Sequence, residues 1–178
     1  MEHSQSGSTE TADREMTIRW QDTAEALAVL PALSGIEYLR KMAAREVPGA
    51  PIAGHFDMGL VEVEPGTVTF TCQPNESHYN PIGAVHGGLV CTLLDSALGC
   101  ATQTLLPAGV GYTSIEIKVN YLRPVTAASG PLRCIGRVTK PGRRVSFAEG
   151  EVVDNAGRTV ATASGSLLIF PIGDGAAG

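Results

Sequence analysis

A run of apolar and small residues from Leu89 to Leu106 carries a single charge, Asp95, and constrains the fold more than any other segment. A helix apolar on every side must be covered on every side. The run also approaches the length of a membrane span. Asp95, Gly99, Thr102 and Gln103 within it, and the polar strands that follow, argue for a buried core helix instead. Just ahead lies Asn80-Pro81-Ile82-Gly83-Ala84-Val85-His86-Gly87-Gly88, a polar, glycine-rich turn feeding the helix. Gly87 and Gly88 offer bare backbone N–H groups where a helix begins, and the helix dipole favours negative charge there. An ionised carboxylate in apolar surroundings is costly unless paired or functional. A carboxylate and an anion-stabilising helix start are the two parts that acyl transfer to water requires. The plainer reading makes Asp95 structural, hydrogen-bonded to Thr92 or to a neighbouring chain.

The segments around this helix read as strands. Leu60–Glu64 and Thr67–Gln73 flank Pro65-Gly66, a hairpin-turn signal. After the helix, Ile115, Ile117, Val119 and Tyr121 alternate with Ser114, Glu116, Lys118 and Asn120, which predicts a strand over 112–122 with the first set buried. Pro131–Thr139, Arg143–Asp154 and Arg158–Phe170 follow, separated by Lys140-Pro141-Gly142 and Asn155-Ala156-Gly157. Turns this short imply antiparallel pairing. Ala161, Ala163 and Gly165 share one face of the last strand, where small residues would let a helix lie close. The expected architecture is α+β: an antiparallel sheet of about six strands curled around one central helix. One curved sheet covers part of such a helix, so a second subunit is expected to cover the rest.

Ahead of the sheet, Ile18–Leu33 and Ser34–Arg45 read as short amphipathic helices, with Ser34 and Glu37 at capping-box spacing. Val47-Pro48-Gly49-Ala50-Pro51 breaks the second. The expected organisation is a disordered or expression-derived tail over 1–16, a helical extension over 17–47, a single domain over 48–172 and a flexible tail over 173–178. The start lacks the basic and apolar stretches of a signal peptide.

The net charge of −5 argues against nucleic-acid or anionic-membrane partners, which favour a basic surface. Cys72, Cys91, Cys100 and Cys134 are widely spaced, neither a disulfide framework nor a zinc pattern, and read as buried thiols of a cytoplasmic protein. His55 and His78 have no ligand spacing, so no metal and no cofactor is expected. There is no G-x-S-x-G elbow, no G-x-G-x-x-G and no P-loop.

The pattern N-P-x-G-x-x-H-G-G, with an Asp nine residues after the His, resembles the hotdog-fold acyl-CoA thioesterases of the phenylacetate-degradation (PaaI-like) type. The likeness extends from about residue 36 to 171. It takes in the hairpin within 54–74, the strand within 113–124, the turn Val138–Arg143 and the segment 154–163. The resemblance implies that Asp95 is the catalytic carboxylate and that the Gly87 N–H polarises the thioester carbonyl. It implies that Asn80 and His86 hold the water or the thioester, and that Ser114 assists, with Thr113 as the other occupant of that position. It also implies an acyl-CoA substrate with either a small aryl or a medium-chain acyl group.

One expectation follows from geometry. Gly88 and Asp95 lie about 10 Å apart along a helix but on one face. One carbonyl cannot sit against both, so a partner's helix start should meet this Asp95. The resemblance implies the same composite site in a homodimer, which would pair further into a tetramer. Arg123, Lys140, Arg143 and Arg144 are candidates for the coenzyme's phosphates, or else solvated turn residues. The competing function is a non-catalytic acyl-CoA binder or sensor of the same fold. A hotdog dehydratase would place its His and acid differently. Cys91 and Cys100 lack a His–acid arrangement and read as core.

Overall fold

The computed structural model describes residues 13–172. Three short helices come first: α1 (Ala24–Val29), α2 (Gly35–Ala43) and α3 (Pro51–Phe56). The hairpin β1 (Met58–Glu64) and β2 (Thr67–Cys72) follows, then the long helix α4 (Gly87–Gln103). Four strands complete the chain: β3 (Val110–Tyr121), β4 (Leu132–Lys140), β5 (Val145–Val153) and β6 (Thr159–Pro171). They form one antiparallel sheet in the order β1-β2-β4-β5-β6-β3, so β1 and β3 are its edges.

The sheet curls around α4, which packs on all six strands. Leu89, Leu93, Leu94, Ala97, Leu98 and Ala101 are buried against it, with Val68, Leu132, Cys134, Val152 and Leu167 on the sheet side. Small residues make the approach close. A Cβ on Gly165 would lie 2.8 Å from Leu98 Cδ2, and one on Gly136 would collide with the Ala97 carbonyl. The turn at Gly66 has φ +72°, a conformation for which glycine has no steric penalty.

The capping box is present, with the Glu37 carboxylate accepting from the Ser34 backbone N–H at 3.0 Å. Two expectations are corrected. Ile18 to Thr23 is not helical; Asp22 Oδ1 accepts from the Ala24 N–H at 2.9 Å, and the helix starts there. Residues 51–56, where the connector ending at Pro51 was expected to lead into the hairpin segment starting at Gly54, form α3, which Pro51 opens at a position where its missing N–H costs nothing. Between them, α2 lies on β1 and α4, and α3 on β1. The expected tail over 1–16 is described only from Asp13, and that over 173–178 lies outside the described residues.

Strand β3 departs from its sequence pattern. Pairing with β6 slips by one residue between Ser114 and Glu116, a β-bulge at Ile115. Ile117 and Val119 pack against the core, but Ile115 is 55% exposed. On the near side of the bulge the helix-facing set is Tyr112 and Ser114, the latter opposite the buried Leu167. The extra residue therefore turns a polar side chain towards α4 without reversing the rest of the strand.

Candidate active site

Helix α4 begins at a cap made by His86, whose Nδ1 accepts from the Gly88 N–H at 2.9 Å. An Nδ1 that accepts leaves the proton of a neutral imidazole on Nε2, so Nε2–H is a donor. Gly88 is thus already engaged, whereas the Gly87 N–H has no acceptor among the described residues. The turn before it is held by Asn80, whose Oδ1 accepts from Ile82 N–H at 3.1 Å and Ala84 N–H at 3.2 Å. His86 N–H donates to the His78 carbonyl at 2.8 Å, tying turn to cap.

Asp95 stands two turns further on. It is exposed within the single chain, on the stripe of α4 that the sheet leaves uncovered, with Gly88 also exposed and Thr92 and Ser96 partly so. This corrects the expectation of a helix apolar on every side. Ten α4 residues are buried, and the open stripe is the polar one. Ser114 Oγ donates to Asp95 Oδ1 at 2.7 Å. Thr92, the alternative partner, instead donates to the Gly88 carbonyl at 2.9 Å. Thr113 pairs opposite Leu168, on the sheet face turned away from α4, so it does not reach Asp95. The bulge at Ile115 is what selects Ser114.

Tyr121, at the end of β3, was legible only as an apolar strand residue. Its hydroxyl donates to the Gly87 carbonyl at 3.0 Å, and a Cβ at 87 would lie 3.0 Å from its ring. Glycine at 87 therefore accommodates Tyr121 as well as exposing an N–H.

In sequence and in fold the chain is similar to known proteins. The sequence pattern of the "Thioesterase superfamily" matches residues 82–161. Acyl-coenzyme A thioesterase 13 of Homo sapiens is 30% identical over 99 residues, covering 54% of this chain and 68% of that one. The chain belongs to the thioesterase superfamily. Its six-stranded sheet around a long helix is the hotdog architecture of PaaI-like thioesterases. A protein of Halobacterium salinarum, provisionally named an esterase, is 38% identical over 96 residues, 49% of this chain and 62% of its own length. The chain thus spans somewhat under two thirds of that relative. The Escherichia coli PaaI protein of the phenylacetic acid degradation operon superposes with a TM-score of 0.66 at 22% identity, over 79% of this chain and 96% of that one, a likeness of fold.

Within this thioesterase fold Asp95 lies on the wall of a cleft of about 1620 Å³. Behind it, Tyr112 lies against Gly99 so closely that a Cβ there would collide with its hydroxyl. Burial raises the Tyr112 hydroxyl well above the ordinary range and pushes the Cys100 thiol up to about 12. Both therefore stay protonated at neutral pH, and Cys100 is no nucleophile.

The four candidate cations do not come together within the chain. Arg123 donates to the Thr159 carbonyl near the end of β3 that meets Gly87. Lys140, Arg143 and Arg144 lie at the β4–β5 turn, level with the start of β3, where Arg144 O accepts from Ile169 N–H at 2.9 Å. That is the opposite end of the helix. Among the described residues no cluster of three or more His, Cys, Asp or Glu side chains is arranged to hold a metal, and no helix is long and apolar enough to cross a membrane.

Proposed function

We propose that the chain hydrolyses an acyl-CoA thioester, small aryl or medium-chain, to the free acid and coenzyme A, at a site assembled by two subunits. The observation that carries the reading is the pairing of Asp95 with Ser114 on the uncovered stripe of α4. One carboxylate oxygen accepts from Ser114, which orients the group and leaves the other for a water molecule or the thioester. The thioester carbonyl accepts a hydrogen bond from the partner subunit's copy of the Gly87 N–H, aided by the helix dipole.

In the general-base route, Asp95 takes a proton as water attacks the carbonyl carbon. Charge gathers on the carbonyl oxygen, the C–S bond breaks, and the thiolate leaves and is protonated. In the nucleophilic route, the carboxylate itself attacks, expels the thiolate and forms an anhydride that water opens. The His86 Nε2–H and the Asn80 amide are donors near the same turn, suited to holding water or the thioester. Arg123 of one subunit, and Lys140, Arg143 and Arg144, are candidate phosphate contacts in a dimer or tetramer.

Incubation with benzoyl-, phenylacetyl- and hexanoyl-CoA in the presence of a thiol-trapping dye tests this reading. Release of coenzyme A, saturable in substrate, is expected. Saturable binding without thiol release would favour the non-catalytic binder.

A further inference from the structure

Residues 13–23 form no helix or strand, lie mostly exposed on the surface and are fastened at both ends. Near their start, Met16 Sδ lies 3.4 Å from Ser77 Oγ and Arg14 pairs with Glu76 at 3.5 Å, on the short helical turn that precedes the Asn80 loop. Further on they press on α3. The Arg19 carbonyl lies 2.5 Å from where a Cβ on Gly54 would be, and Trp20 stacks on His55 with ring centroids 6.2 Å apart. Exposed surface ion pairs hold little by themselves. The backbone against Gly54 is the tighter fastening.

This strap and α1 after it form one wall of the cleft that contains Asp95. Trp20, Leu27 and Leu30 line it, together with Met42, Leu60 and Phe70. Trp20 is 62% exposed and Leu27 59%, so apolar surface is left open where the cleft runs. A cleft of about 1620 Å³ exceeds the roughly 300–1,000 Å³ of an ordinary small-molecule site. A single aryl ring leaves most of such walls untouched, whereas an extended aliphatic chain starting at Asp95 covers them.

We infer that the strap carrying Trp20, with Leu27, is the specificity-determining wall for an extended, medium-chain aliphatic acyl group. The inference rests on the proposed thioesterase reading for the position of the thioester at Asp95. It narrows the acyl group to the aliphatic class. Each methylene buried in such a cleft raises affinity by about fourfold at most, so dodecanoyl-CoA should bind about a hundredfold more tightly than butyryl-CoA even with partial burial.

Trp20 is the only tryptophan of the chain and reports on the wall directly. The test titrates full-length Asp95→Asn protein, in which turnover is suppressed, with dodecanoyl-CoA, butyryl-CoA, phenylacetyl-CoA and free coenzyme A, following tryptophan emission. A blue shift with dodecanoyl-CoA alone is expected. Gly54→Ala, which favours the α3 helix but displaces the Arg19 carbonyl, should weaken dodecanoyl-CoA binding by about tenfold and leave butyryl-CoA within twofold. Emission that ignores dodecanoyl-CoA, or responds equally to free coenzyme A, overturns the inference. So does a Gly54→Ala protein that loses both esters equally. Binding as expected with no thiol release by the wild-type chain would instead sink the hydrolase reading and leave the wall intact.

Discussion

Leu94 and Asp95 are neighbours in the chain and opposites in the molecule. Leu94 is fully buried between α4 and the sheet, where a Cβ on Gly150 would lie 3.3 Å from its Cδ2. Asp95, about 100° further around the helix, is exposed and touches Ser114. One face of α4 is matched to the sheet by volume, and the other is matched to nothing within the chain. The contrast teaches that stability and chemistry are divided between two faces of one helix. Substitutions one residue apart should therefore fail in different ways.

The largest effect is expected at Asp95. Removing a positioned base costs about 10²–10⁴ in rate. Asp95→Asn should lower kcat by that factor while the melting temperature stays within a few degrees. Near-wild-type turnover would end the proposed role of the carboxylate. Leu94→Ala should do the reverse, losing about 2–5 kcal/mol of unfolding free energy in a denaturant titration. The folded fraction should keep a kcat close to wild type. A loss of kcat without loss of stability would mean that the two faces are not separable.

The same comparison applies across β3. Ser114→Ala removes a hydrogen bond to a charged group and should lower kcat by about tenfold. Thr113→Ala, on the other sheet face, should leave it within twofold. Equal losses at both positions would place the bulge elsewhere.

Much of this division was legible without coordinates. The Pro65-Gly66 turn, the Ser34–Glu37 box and the apolar span of α4 are local patterns, each set by residues a few positions apart. What the chain concealed depended on partners distant in sequence. The run Ser114–Tyr121 alternates without a break, so nothing in it announces that Ile115 is an extra residue. Only pairing with Leu167 and Ser166 of β6 does so. Helix α3 is too short to show a period and is held by its packing on β1. Asp95 was legible as the anomalous charge, but its exposure was not. A sequence pattern reveals that a helix is apolar, not which stripe the sheet fails to reach. The four cations looked like one group, yet the register puts Arg123 and the β4–β5 turn at opposite ends. The strap over residues 13–23 gave no local signal, since its course is set by Gly54 and Glu76.

The open stripe and the engaged Gly88 lead to one central claim, that a working site takes Asp95 from one subunit and the Gly87 N–H from another. Subunit mixing tests it most directly. Asp95→Asn removes the carboxylate, and Gly87→Pro removes the N–H at the first helical position, where the backbone suits proline although the Tyr121 ring must shift. Each variant alone should be inactive. Unfolded together and refolded at equal concentration, they should recover about a quarter of wild-type activity, because half of the dimers would carry one intact site of two. Mixed protein that forms heterodimers yet stays as inactive as either parent would contradict the claim.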